Sequence, residues 1–107
     1  MEPGFRTDAM RKIALSRTYA VRKLGDAVAI NFHVLLIDLV DAHDFSEVPV
    51  IPDRVSTGAR VLLEYSVGPS VVLEVEPRMR DVARKEDWLR AHRFCLMRIL
   101  DGSRVIA

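Results

Sequence analysis

Two alternating segments joined by a short turn constrain the fold of this chain more than any other feature. The segments ARVLLEYSV and VVLEVEP occupy residues 59–67 and 71–77, with a Gly-Pro-Ser turn at residues 68–70. Apolar residues at every second position on both sides of such a turn are typical of a β-hairpin. The first segment places four apolar side chains on one predicted buried face: Val61, Leu63, Tyr65 and Val67. The opposite face carries three glutamates and is predicted to be solvated and acidic: Glu64, Glu74 and Glu76.

The first 25 residues show helical spacing. Thr7 and Asp8 are suitable N-terminal caps, the apolar residues that follow recur on one face, and Gly25 is a natural stop. We predict one helix between these signals.

The run AVAINFHVLLIDLV, residues 27–40, is rich in β-branched residues. It is predicted to be a buried strand, and a buried helix is the alternative, because periodicity does not separate the two in a short apolar run. Prolines and aspartates in residues 41–58 predict a long connection, with a short edge segment at Val48–Ile51.

After Pro77, most residues up to Leu100 are helix formers and predict a further helix. The end of this segment allows a second interpretation, since FCLMRIL and SRVIA flank the Asp101-Gly102 dipeptide of a tight hairpin turn. Residues 94–107 are therefore expected to be either helix or hairpin. Together these elements predict an α+β fold, with two or three helices packed on an antiparallel sheet that is built around the central hairpin.

A single domain over residues 1–107 is expected from length and composition. Half of the residues are apolar and 29% are charged, a balance typical of globular domains. Cys95 is the only cysteine, which excludes an internal disulfide and favours a reducing compartment. The N-terminal residues lack a secretory-signal pattern, and the longest uncharged run, residues 27–37, is shorter than the roughly 20 residues of a membrane helix. We expect a cytoplasmic protein without a membrane span.

Charge is unevenly distributed along the chain. Six basic and two acidic residues give residues 1–24 a charge of plus four, and two basic and nine acidic residues give residues 25–77 minus seven. Residues 78–100, with seven basic and three acidic, return to plus four. Acidic surfaces attract basic partners. We therefore expect a protein-binding domain, of a regulatory, immunity or antitoxin type, whose partner contacts the acidic residues of the hairpin and of the preceding loop: Asp44, Glu47, Asp53, Glu64, Glu74 and Glu76.

Nucleic-acid binding, by a possible homodimer, is the alternative function. Basic groups that allow phosphate contact, with an aromatic ring for stacking, lie on the first predicted helix: Arg11, Lys12, Tyr19, Arg22 and Lys23. A second basic group lies near the last predicted helix: Arg78, Arg80, Arg84, Arg90 and Arg93.

Two stretches are similar to a family of swapped-hairpin DNA-binding proteins. VRKLGDAVAI, residues 21–30, resembles the opening motif of swapped-hairpin antitoxins and transition-state regulators, and residues 57–77 resemble the closing hairpin of that fold. The resemblance implies a dimer that contacts DNA through Arg22 and Lys23, and it requires residues 13–23 to form a strand.

Groups suitable for metal binding or acid-base chemistry are few: His33, His43, Asp44, His92 and Cys95. Their spacing matches no zinc motif, and His92 with Cys95 is predicted to lie among core residues of the last helix. No nucleophile elbow or phosphate-binding glycine loop occurs in the sequence. We therefore assign no catalytic residue, no metal and no cofactor, and favour a protein that is not an enzyme.

Overall fold

The structure, a computed structural model, describes residues 1–79 and 85–107, with side chains in the second range from residue 87 onward. It confirms the α+β class. The helices are α1 (Asp8–Leu15), α2 (Arg17–Leu24) and α3 (Asp26–Asp41), with short 3-10 segments at Phe45–Glu47 and Lys85–Arg90. The strands are β1 (Glu2–Phe5), β2 (Arg54–Thr57), β3 (Val61–Ser66), β4 (Val71–Arg78), β5 (Arg93–Asp101) and β6 (Arg104–Val105). They form one sheet in the order β1-β5-β4-β3-β2, in which β6 also pairs with β5. Only the β1–β5 pairing is parallel among the described strands.

The predicted hairpin is confirmed as β3 and β4, with Tyr65 opposite Leu73 and Glu64 opposite Glu74. Its apolar face packs against the helices in a single core cluster. Gly68 in the turn allows close approach of α3, because a Cβ atom there would lie 2.8 Å from Cγ2 of Val28. Asn31 of α3 fixes the same region by donating a hydrogen bond to the carbonyl of Val67 (3.0 Å).

The predicted first helix is two helices. Ser16 has an extended backbone (φ −127°, ψ 113°) and accepts a hydrogen bond from the amide of Tyr19 (3.2 Å), which starts α2. Serine caps a helix start better than it fills a helix interior, because its hydroxyl competes for backbone amides. The predicted cap at Thr7 is confirmed by its bond from the Met10 amide, and Gly25 ends α2 with a positive φ of 82°.

The preferred prediction for residues 27–40 is wrong, since this run belongs to the 16-residue helix α3. Four of its side chains are buried at helical spacing against the sheet: Ala29, Phe32, Leu35 and Leu39. The predicted edge segment at Val48–Ile51 is also misplaced, because the edge strand of the sheet is β2. No described helix is both long enough and apolar enough to span a membrane.

The predicted C-terminal helix is wrong and its hairpin alternative is confirmed. Residues 93–101 form β5, which lies between β1 and β4 and buries Phe94, Leu96 and Ile99. Gly102 turns the chain with a φ of 60° and β6 returns along β5. Residues 80–84 of the predicted helix lie outside the described residues.

Candidate binding face of the sheet

One face of the sheet carries the helices, and the other, which we term the open face, carries rows of charged side chains. Residues directly opposite on neighbouring strands project from the same side of a sheet. The first row runs across four strands, from Arg54 through Glu64 and Glu74 to Arg98. A second row at the far end of β4 contains Arg78, Arg93 and Glu2. None of these side chains belongs to the core cluster of the described residues.

The first row contains both basic and acidic side chains, so this face is not purely acidic. Arg98 donates two hydrogen bonds to Glu74, from Nε to Oε1 (2.6 Å) and from Nη2 to Oε2 (3.0 Å). Paired with this carboxylate, the Arg98 guanidinium has its pKa raised above the ordinary value, by the hydrogen bond first and the Coulomb attraction second. At the other end of the row, Arg54 lies 3.9 Å from Glu64. The two facing glutamates, which would repel each other alone, are therefore flanked by arginines on both sides.

Glu76 also lies beside arginines, although its buried Oε2 atom accepts no hydrogen bond within the described part of the chain. Its carboxylate lies 3.0 Å from Arg78 and 3.5 Å from Arg60. Glu74 and Glu76 are each only 6% exposed, although they lie on the open face. The predicted acidic face is thus correct in position, with Glu64 half-exposed. The prediction that it is solvated is wrong for Glu74 and Glu76, because arginine side chains lie against their carboxylates.

Arginine side chains collect where the second row ends. Arg78 and Arg93 stand opposite each other in register, a like-charge pair that is unfavourable unless anionic groups lie nearby. Arg93 is 3.7 Å from the exposed Glu2, and Arg78 shares Glu76 with Arg60. We term the half-exposed or exposed arginines of this region the arginine rim: Arg60, Arg78, Arg90 and Arg93.

Clefts adjoin the arginine rim. One, of about 550 Å³, is lined by Arg78, Arg90, His92 and Arg93 among others. A cleft of about 380 Å³ lies between Arg78, Arg93 and the β1 residues Glu2 to Phe5. A third, of about 250 Å³, lies on the Arg60 side. Arg78 lines all three of these clefts.

The predicted acidic site residues do not all come together. Glu64, Glu74 and Glu76 lie side by side on the open face. Asp53 immediately precedes β2, and its carboxylate accepts a hydrogen bond from the Ser66 amide (2.7 Å).

The other two acidic residues belong to the 3-10 segment after α3: Asp44 caps its start and Glu47 is its last residue. Asp44 accepts from the Ser46 amide (3.0 Å), and Glu47 accepts from the His43 amide (3.1 Å). The hydrogen bond from the Ser46 side chain, above all, lowers the pKa of Asp44 below its ordinary value. Both carboxylates therefore have a local structural partner.

The predicted basic residues of the nucleic-acid alternative lie on α1 and α2. Arg11 and Lys12 are 3.6 and 3.3 Å from Asp8 within α1, and the Lys23 ammonium lies over the Tyr19 ring at 5.6 Å. Arg22 is exposed on α2. Because residues 13–23 are almost entirely helical, the strand that the swapped-hairpin resemblance requires is not formed.

Of the candidate metal and acid-base residues, the structure brings His43 and His92 together, and Asp44 follows His43 in the chain. His33 bonds to the Ile13 carbonyl (2.9 Å), and His92 bonds through Nδ1 to the His43 carbonyl (3.1 Å) with the two imidazole rings 4.7 Å apart. His92 is exposed, so its predicted place in the core is wrong, while Cys95 is buried as predicted. Within residues 1–79 and 85–107, no three histidine, cysteine or carboxylate side chains are arranged to hold a metal ion.

The comparisons with known proteins add no relative. The chain matches no protein-family model, no curated protein and no solved structure. The assignment of the site therefore depends on geometry. Sequence reasoning missed Arg54, Arg60 and Arg98, since only the strand register shows that they lie beside the glutamates.

Proposed function

We propose that this protein is a non-enzymatic binding protein whose open face contacts another protein through the arginine rim. The observation that carries the proposal is the Arg78–Arg93 pair, two like charges that stand opposite each other in register and line the same two clefts. Arg78 and Arg93 each have one carboxylate nearby, Glu76 and Glu2, and carboxylates of a partner could bind the remaining N–H groups of each guanidinium in a planar geometry. The expected partner therefore presents acidic groups, in contrast to the basic partner that the sequence predicts.

The balance of charge on the open face favours a protein partner over a nucleic acid. Among the described residues, six arginines and five carboxylates lie on or beside it, a net charge of plus one: Arg54, Arg60, Arg78, Arg90, Arg93, Arg98, Glu2, Glu64, Glu74, Glu76 and Asp87. Half-buried apolar side chains of the open face lie beside the first charged row: Leu62, Val72 and Leu100. Protein interfaces combine arginine with apolar contacts, whereas nucleic-acid interfaces are strongly positive. A small domain of this kind fits a regulatory or neutralising role, as in immunity proteins and antitoxins.

Charge reversal tests the proposal. Affinity-tagged protein with Arg78→Glu and Arg93→Glu should lose a partner that the unchanged protein captures from its native cells, with at least about a tenfold loss of affinity once the partner is purified. The matched control, Arg11→Glu with Arg22→Glu, reverses two exposed arginines on α1 and α2 and should capture the partner as before. Capture that is insensitive to the first pair, or that disappears after nuclease treatment, would refute the proposal.

A further inference from the structure

The cleft of about 550 Å³ beside the arginine rim has a positive lining. Among the described residues, three arginines and one aspartate line it, a net charge of plus two with histidine neutral: Arg78, Arg90, Arg93 and Asp87. A single carboxylate would neutralise half of this charge. A phosphate monoester carries about −1.5 to −2 at neutral pH and presents three acceptor oxygens. The charge of the cleft therefore matches a monoester better than one carboxylate or the singly charged phosphodiester of a nucleic acid.

The three arginines have N–H groups available for such a ligand. Arg90 is exposed and forms no ion pair with any other residue in the described part of the chain. Nε of Arg78 lies 3.0 Å from the Glu76 carboxylate. Nε of Arg93 lies 3.7 Å from the Glu2 carboxylate, and neither glutamate is among the described residues that line this cleft. Since a guanidinium has five N–H donors, one carboxylate leaves most of them available.

Hydrogen bonds hold the chain beside this cleft in place. The amide of the buried Ala91 donates to the Trp88 carbonyl (3.1 Å). The His92 carbonyl accepts from the Glu2 amide (3.1 Å), and Nδ1 of the His92 ring donates to the His43 carbonyl (3.1 Å). A site whose frame is fixed before binding loses less conformational entropy when the ligand arrives. This wall of the cleft is therefore suited to hold a small anion.

We propose that this cleft binds a phosphate monoester, carried by a phosphorylated side chain of the protein partner. This assignment rests on the function proposed above, whose partner it makes a phosphoprotein. Arginine clusters recognise phosphorylated side chains through charge-assisted, two-bond contacts. The volume lies within the range of roughly 300–1,000 Å³ of ligand pockets, so the cleft has room for the side chain that carries the phosphoryl group. Met79 and Ala91, which also line the cleft, would contact the apolar part of that side chain.

Titration of the full chain with phenyl phosphate, followed by ¹⁵N NMR, tests the cleft. Shifts should appear at the amides of residues 78 and 90–93, and benzoate, a carboxylate on the same ring, should bind at least about tenfold more weakly. Arg90→Gln should weaken phenyl phosphate binding about tenfold, because it removes a charged donor from an exposed position. Arg22→Gln, the matched control, alters an exposed arginine on α2 and should leave the affinity unchanged. Equal affinities for the two probes, or equal losses in the two variants, would overturn the proposal.

Phosphatase treatment tests whether the monoester belongs to the partner. Capture by the tagged protein should fall at least about tenfold from cell extract treated with phosphatase, and should not change with heat-inactivated phosphatase. Capture that survives phosphatase but disappears with Arg78→Glu and Arg93→Glu would rule out a phosphorylated partner and leave the proposed function intact. Phenyl phosphate binding in that case would assign the cleft to a free phosphate monoester. Capture that survives the arginine changes, or that nuclease removes, would instead refute the proposed function.

Discussion

Arg98 binds Glu74 through two parallel hydrogen bonds on the open face of a sheet, and this pairing turns an acidic strand into a neutral one. Glu74 is 6% exposed and faces Glu64 on the neighbouring strand. Without Arg98, two carboxylates would face each other with one of them almost completely removed from water. The pairing therefore matters more for the stability of the sheet than an ordinary surface ion pair would.

Replacing Arg98 by methionine should lower the free energy of unfolding by about 2 kcal/mol, since it leaves a buried carboxylate unpaired. This loss is smaller than that expected for a fully buried ion pair, because Arg98 is half-exposed. Arg54→Met, at the longer and more exposed contact with Glu64, should cost less than about 0.5 kcal/mol. Urea unfolding of both variants measures the difference. Adding Glu74→Leu to Arg98→Met should recover most of the loss; equal effects of the two single variants would contradict the assignment.

Tyr65→Phe should raise stability. Tyr65 is 1% exposed, and among the described residues its hydroxyl has no hydrogen-bond partner. Removing an unpaired buried hydroxyl while keeping the ring should increase the free energy of unfolding by about 1 kcal/mol. Thermal and urea unfolding provide the measurement, and a loss of stability would show that the hydroxyl does have a partner.

Tyr65 should also make the stability of the protein sensitive to alkaline pH. Burial raises the pKa of Tyr65 above the ordinary tyrosine value. The unfolded chain therefore releases this proton at a lower pH than the folded one, so the stability is complete below the ordinary pKa and falls as pH rises above it. Urea midpoints measured from pH 8 to pH 11 should decline more steeply for the unchanged protein than for Tyr65→Phe. Parallel declines would exclude this contribution of Tyr65.

Gly68→Ala should destabilise the contact between the hairpin turn and α3. Its Cβ would lie 2.8 Å from Cγ2 of Val28, so the valine side chain or the turn must move, at a cost of about 1–2 kcal/mol. Gly58→Ala is the matched control, because its Cβ meets no atom within 4 Å, and its effect should stay within about 0.5 kcal/mol. The double variant Gly68→Ala with Val28→Ala removes the clashing methyl groups, so the cost of Gly68→Ala should shrink in that background.

The hairpin can be predicted from the sequence because all of its determinants are local. Alternation within residues 59–77 sets which side chains face the core, and a turn of three residues joins the strands. The position of Glu64, Glu74 and Glu76 on one face follows from the same alternation. Their neutralisation by arginines cannot be predicted from this alternation, since Arg98 lies 24 residues after Glu74 in the chain. The register that places Arg98 beside Glu74 depends on the whole sheet.

The wrong predictions have two physical causes. In β5, Phe94 and Leu96 face the core two residues apart, but a bulge opposite Glu74 and Val75 makes Ile99 the next core residue, three positions after Leu96. The apolar residues of this strand therefore lack a constant period of two. In α3, apolar residues on two opposite sides hide the helical period. Such a helix resembles a buried strand in sequence.

Ser46→Ala should raise the pKa of Asp44. The folded protein lowers this pKa below the ordinary value of 3.8, chiefly because the Ser46 hydroxyl and amide donate hydrogen bonds to the carboxylate. A carboxyl whose pKa is lower in the folded state favours folding at neutral pH, and this contribution disappears as pH falls through the folded pKa. A carbon-detected NMR titration of the Asp44 carboxyl should give a midpoint below 3.8 in the unchanged protein and a higher one in Ser46→Ala. Ser103→Ala, which alters an exposed serine in the β5–β6 turn, should leave the midpoint unchanged. If Ser46→Ala titrates like the unchanged protein, the hydroxyl does not hold the carboxylate in solution.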